Sequence, residues 1–179
     1  MKTQTHKAAA RTVRRAALVA RVSGISLIVL GGISFLFAVT NPLSAGFLIS
    51  VAVVVNGFVE WRASRRLEAL DRRAPGWLAL NQLLLGLEIA AYSVWQTFHF
   101  EQAELEALLR RPSIKPWLQL FDPAALDVLL TALPGAIRLF YALVGVIAFL
   151  GCAATALYYL GKRKSLAVLL SGPPPLKQG

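Results

Sequence analysis

Charged residues are scarce in this sequence: Asp, Glu, Lys and Arg make up 16% of its 179 residues, against roughly 25% in an average soluble domain. The hydrophobic share is correspondingly high, at 56%. A helix that crosses a bilayer needs about 20 mostly apolar residues, so four such helices would occupy close to half of the chain. This composition leaves no room for a large soluble catalytic domain.

Residues that carry metal and redox chemistry are equally rare, with one cysteine and two histidines. A single cysteine excludes a disulfide framework, and a structural zinc site takes four ligands, mostly Cys and His, which are too few here. Haem ligation is disfavoured because His99 has no second histidine in a membrane span. Gly-rich phosphate loops and the HExxH and GxSxG motifs are absent from the sequence. We therefore expect no cofactor, no metal and no enzymatic activity.

Four long apolar stretches predict transmembrane helices by their length and composition. They cover residues 22–39, 43–59, 77–100 and 139–160, and the third carries most of the polar side chains. The predicted fold is an all-α polytopic membrane protein: a four-transmembrane-helix bundle with a partly helical external segment between the third and fourth spans.

The segments between the predicted spans are short, with one exception. From Glu60 onward the sequence lacks Gly and Pro up to Pro75, so the second helix is expected to extend on the cytoplasmic side to about residue 73. Residues 101–136 form the external segment, in which Pro134 and the glycine after it are expected to end a short helix. The basic stretch 1–21 and the tail 161–179 complete the chain.

Basic residues indicate the orientation of the predicted spans. Six Lys and Arg residues precede the first span, five lie between the second and third spans, and four follow the fourth, which places fifteen of nineteen on one face. Cations concentrate on the cytoplasmic side of membrane proteins, so both termini are expected there, in a bacterial inner membrane. A cleavable signal peptide is the competing interpretation of the first span, but its eighteen apolar residues exceed the usual 7 to 15.

The N-terminal stretch combines basic residues with alanines at helical spacing, which predicts contact with anionic lipid headgroups. Nucleic-acid binding is disfavoured because this stretch has no aromatic residue for base stacking. The cations expected to contact lipid are Lys7, Arg11, Arg14, Arg15 and Arg21.

Glu88 is the ionisable residue that the sequence places deep in a span. It follows Gly76 by twelve residues, about 18 Å along a helix, near the middle of a hydrocarbon layer ~30 Å thick. A charge there is penalised by at least ~2.5 kcal/mol, so a neutral carboxyl facing the helix interior is expected. Tyr92 and His99 lie on the same face of the third helix as Glu88.

Two interpretations of Glu88 follow. In one, Glu88, Tyr92 and His99 form a proton or ion relay. In the other, Glu88 is a neutral acid, hydrogen-bonded within a structural bundle. The second is favoured because the spans show neither a second charge nor the repeats or broken helices typical of transporters.

Other residues within the spans are expected to join the helices. Asn56 in the second span matches Asn81 and Gln82 in the third in depth, which predicts hydrogen bonds across neighbouring helices. Small side chains on the first and fourth spans predict close helix approach. These packing residues are Gly24, Gly31, Ser34, Gly145, Ala148, Cys152 and Ala156.

From these features the sequence predicts a small integral membrane protein of structural, accessory or interaction type, without recognisable catalytic chemistry. Its expected partners are anionic lipid on the cytoplasmic side and either a second copy of the chain or another membrane protein. The alternative is a proton-coupled small transporter or channel that uses Glu88.

Overall fold

The computed structural model describes residues 2–39, 44–99, 111–114, 116 and 122–172. Within them the chain forms four long helices: α1 (Lys2–Ala38), α2 (Ala45–Glu68), α3 (Ala74–His99) and α4 (Pro123–Leu170). Each is long and apolar enough to cross a membrane. The all-helical architecture expected from the sequence is therefore confirmed, and it is compatible with a membrane protein.

The turn between α2 and α3 lies earlier in the chain than expected. Helix α2 ends at Glu68, five residues before the expected end near residue 73. Leu70 adopts a left-handed backbone conformation, with φ of 60°, which a continuing helix does not allow. The carboxylate of Asp71 then accepts a hydrogen bond of 2.8 Å from the backbone N–H of Arg73, just before α3. Pro75 lies in the first turn of α3, where its missing N–H removes no helical hydrogen bond.

Helix α4 corrects a second expectation, because it runs through Pro134 and the following glycine without a break. A proline inside a helix removes one backbone hydrogen bond, and α4 continues in spite of this loss. The helix also continues to Leu170, so ten residues of the expected tail are helical. Part of the expected external segment, namely residues 101–110, 115 and 117–121, and the end of the tail at 173–179 lie outside the described residues.

The chain divides into two units, Met1–Glu88 together with Phe149–Gly179, and Ile89–Ala148. In the first unit all four helices contribute to one buried apolar cluster. Alanines dominate the α1 side of this cluster, so the backbone of α1 approaches its neighbours closely. The cluster comprises Val13, Ala16, Ala17, Ala20, Ala63, Leu67, Ala74, Leu78, Ala79, Ala156, Tyr159 and Leu166.

Candidate functional site

A buried carboxyl group is the most connected polar group of the first unit. The side chain of Glu60 on α2 is 0% exposed. Its Oε1 accepts hydrogen bonds from the Gln82 amide nitrogen at 2.9 Å and from the Tyr159 hydroxyl at 3.1 Å. Its Oε2 accepts one from the Ser23 hydroxyl at 3.1 Å. Since the three donors lie on α3, α4 and α1, all four helices meet at this one carboxyl.

Two glycines explain how α1 and α2 come close enough for the Ser23 contact. A Cβ atom placed on Gly24 would lie 2.8 Å from the carbonyl oxygen of Gly57 and 2.8 Å from the backbone nitrogen of Trp61. A side chain at either glycine would push the helices apart. Ser23 and Glu60 adjoin this close approach in sequence, so their side chains reach each other.

A second group of polar contacts joins α2 to α3. The side-chain amide of Asn56 donates to Glu88 Oε2 at 2.6 Å and to the backbone carbonyl of Ala52 at 2.9 Å. The amide of Asn81 donates to the backbone carbonyl of Asn56 at 3.1 Å. Asn56 and Asn81 are buried, and Glu88 is partly exposed. Glu88 is thus tied to the neighbouring helix through Asn56.

The two groups form one continuous strip, which we name the polar ladder: Asn56, Glu60, Asn81, Gln82 and Glu88. Asn56 and Glu60 are one turn apart on α2, and Asn81 is next to Gln82 on α3. The hydrogen bonds of the ladder come from amide donors to carboxyl or carbonyl oxygens. Among the described residues, every buried side-chain nitrogen or oxygen has a hydrogen-bond partner. The ladder therefore joins one turn of α2 to two turns of α3 through polar side chains that have hydrogen-bond partners.

The structure brings together the three amides that the sequence predicts as interhelical contacts, but Gln82 donates to Glu60 instead of to Asn56.

Tyr92 and His99, the expected relay partners of Glu88, belong to the second unit, where they have local partners. The Tyr92 hydroxyl accepts a hydrogen bond of 2.7 Å from Gln96. The His99 ring stacks on Trp95 with 3.7 Å between centroids.

Most of the predicted packing residues on α1 lie against α2, with one correction. Gly31 adjoins Val54, because an added Cβ would come within 2.8 Å of that side chain. Ser34, however, is exposed. The contact between α1 and α2 continues from Gly31 to Phe35, whose ring centroid lies 5.1 Å from that of Phe47. Ser34 lies on a different side of α1 and does not take part in this contact.

On α4 the predicted packing residues divide between the two units. Ala156 is buried in the core of the first unit, and Cys152 lies beside Gly86 of α3. Gly145 belongs to the second unit, where a Cβ would lie 2.8 Å from that of Ser93. Ala148, also in the second unit, is partly exposed.

The N-terminal cations lie on the face of α1 opposite its buried alanines. Lys7, Arg11, Arg14 and Arg15 are exposed. Arg21 forms an ion pair with Glu68 at the end of α2. The alanine face of the basic N-terminal segment is therefore packed against protein, and four of the five cations are exposed.

Sequence reasoning missed Glu60, Ser23 and Tyr159. Glu60 lies one residue beyond the predicted second span, where the sequence predicts the cytoplasmic extension of the helix and no buried position. One signal was available: Glu60 follows Asn56 by four residues and therefore shares its helix face.

Comparison of the chain with known protein families, with curated proteins and with solved structures finds no match.

Proposed function

We propose that the chain is a small integral membrane protein of structural, accessory or interaction type, with both termini on the cytoplasmic side of a bacterial inner membrane. The observation that carries this proposal is the junction at Glu60, where donors from the three other helices converge on one buried carboxyl. This arrangement uses polar side chains to hold helices in register.

Polar contacts matter for this proposal because the solvent around the helices would be lipid and not water. Within a bilayer the hydrophobic effect does not drive helices together, so close packing at small residues and interhelical hydrogen bonds take its place. The first unit has both, at Gly24 against Gly57 and at the polar ladder. Because these buried polar groups bond to one another, we infer that the protein acts through its outer surface, by association with a second copy or with another membrane protein.

The test is the assembly state in a native-like bilayer. Native mass spectrometry of the full chain, extracted directly from membranes in a mild detergent and in polymer-bounded lipid discs, should show a homo-oligomer or a complex of fixed stoichiometry. The Glu68→Gln variant, altered at an exposed carboxyl, serves as a control and should give an assembly of the same stoichiometry. A strictly monomeric, partnerless protein in both preparations would contradict the proposal.

A proton-coupled small transporter or channel that uses Glu88 is the second candidate. One observation favours it: Glu88 accepts a hydrogen bond from Asn56 through Oε2, so a proton on Oε1 would leave that contact in place. The other carboxyl of the polar ladder, Glu60, accepts hydrogen bonds on both oxygens and keeps the structural role in this candidate.

Flux measurements separate the two candidates. Liposomes that contain the purified chain would be given a pH gradient, and proton movement would be followed with an entrapped dye. The transporter hypothesis predicts a flux that Glu88→Gln abolishes and that the exposed control Glu68→Gln leaves unchanged. An absence of flux in the parent protein, or an equal flux in Glu88→Gln, would eliminate this candidate.

A further inference from the structure

A groove runs along the exposed face of α2, and none of the residues that line it belongs to the polar ladder. Its volume is about 520 Å³. Its lining is aromatic at one end and cationic at the other, and it consists of Phe58, Trp61, Arg62, Arg65, Arg66 and Ala69.

The cationic end of the groove is rich in guanidinium groups. Arg62, Arg65 and Arg66 are exposed, and the ion pair found in the described part of this region joins Arg21 to Glu68 and involves none of the three. The Arg65 guanidinium carbon lies 5.5 Å from the centre of the Trp61 ring, a cation–π contact that holds this side chain over the indole. Guanidinium groups bind phosphate oxygens in a bidentate manner, so this end suits a phosphate group.

The other end of the groove is apolar and continues along α2. Val55 and Phe58 are 54% and 51% exposed, and they precede Trp61 by one to two turns. Polarity therefore changes from apolar to cationic within about 12 Å of helix, with an indole at the boundary. Trp is enriched where hydrocarbon meets headgroups. A free anion would contact only the cationic half of the groove. A phospholipid would contact both halves, with its acyl chain on the apolar residues and its phosphate at the arginines.

We propose that this groove is a binding site for an anionic phospholipid of the cytoplasmic leaflet, with its phosphate at Arg62, Arg65 and Arg66 and its acyl chain along Phe58 and Val55. The inference rests on the proposal that α2 crosses the membrane. It differs from the general attraction of the N-terminal cations for lipid because it assigns one lipid to one groove.

The experiment measures binding of phosphatidylglycerol to the detergent-solubilised full chain by native mass spectrometry, with phosphatidylcholine as the zwitterionic comparison. The variant R62Q/R65Q/R66Q should weaken phosphatidylglycerol binding at least tenfold. The matched control K7Q/R11Q/R14Q removes the same charge from the exposed face of α1 and should weaken it threefold or less. Phe58→Ala leaves the charge unchanged and should weaken it severalfold through the lost acyl contact.

Three results would overturn the assignment. Equal losses in the two triple variants would mean that only overall charge matters. Equal affinity for phosphatidylcholine would remove the role of the anionic headgroup. Displacement of the lipid by millimolar inorganic phosphate, with Phe58→Ala unchanged, would make the ligand a soluble anion. Topology labelling of the same preparations tests the membrane placement independently, so a failure of the groove is distinguishable from a failure of the proposed function.

Discussion

Replacing Glu60 by alanine should destabilise the protein more than any other single removal of a carboxyl from α2. The substitution removes both oxygens that accept hydrogen bonds from Ser23, Gln82 and Tyr159. Each of these donors lies on a different helix, so the substitution removes one hydrogen bond between α2 and each of the other three helices. It also leaves three polar groups without their acceptor inside the protein.

The magnitude follows from the number of bonds. Hydrogen bonds between helices in membranes contribute about 0.6 kcal/mol each on average, so three of them amount to about 2 kcal/mol. This corresponds to a change of roughly 30-fold in the unfolding equilibrium constant, since each 1.4 kcal/mol is tenfold. The matched control is Glu68→Ala on the same helix. Glu68 forms an exposed ion pair with Arg21, and such pairs contribute about 0.2 to 1 kcal/mol.

Titration with sodium dodecyl sulfate in mixed micelles, followed by far-UV circular dichroism, gives the free energy of unfolding of each variant. Glu60→Gln provides a third point: its amide oxygen can still accept from Gln82 and Tyr159, and its nitrogen can donate to the Ser23 hydroxyl. We expect Glu60→Gln to lose less than a third of what Glu60→Ala loses. If Glu60→Ala unfolds within 0.5 kcal/mol of the parent, or no more easily than Glu68→Ala, the junction does not hold the helices together.

Three further predictions concern packing and orientation. Gly24→Ala should lower the free energy of unfolding by about 1 to 3 kcal/mol, because its Cβ would meet the α2 backbone, whereas Gly32→Ala, with nothing within 4 Å, should not; equal effects would contradict the close approach. Gly86→Ala should destabilise because its Cβ would lie 2.9 Å from that of Cys152, and in the same titration Cys152→Gly should cost less in the Gly86→Ala background than in the parent, where a glycine inside α4 costs about 1 kcal/mol. In a Cys152→Ala background, cysteines introduced at either terminus should resist an impermeant maleimide in intact spheroplasts, and labelling of one end would refute the orientation.

Features of the fold that depend on short-range composition are predictable from the sequence. Long apolar runs predicted four helices, and all four are present. Helix ends were less predictable. Pro134 looked like a terminator because proline usually ends a helix, but α4 tolerates the loss of one hydrogen bond. The end of α2 is set by the left-handed conformation of Leu70, a residue with no sequence signal for that geometry.

The junction at Glu60 could not be predicted from local pattern. Its donors are 37, 22 and 99 residues away along the chain, and nothing in a window around Glu60 encodes them. A glutamate at the end of an apolar run is usually a solvated headgroup residue, which made the ordinary interpretation the wrong one. Only the convergence of three helices at one depth shows that Glu60 is buried.

The polar ladder also separates the roles of its two acids. Both oxygens of Glu60 accept hydrogen bonds and the side chain is fully buried, so Glu60 has no route for exchanging a proton without breaking the junction. Glu88 accepts from Asn56 through Oε2, so Oε1 can take up or release a proton while this contact persists. If the chain conducts protons, Glu60→Gln should therefore leave the flux largely intact while Glu88→Gln abolishes it. If it does not, the two substitutions should differ in stability alone.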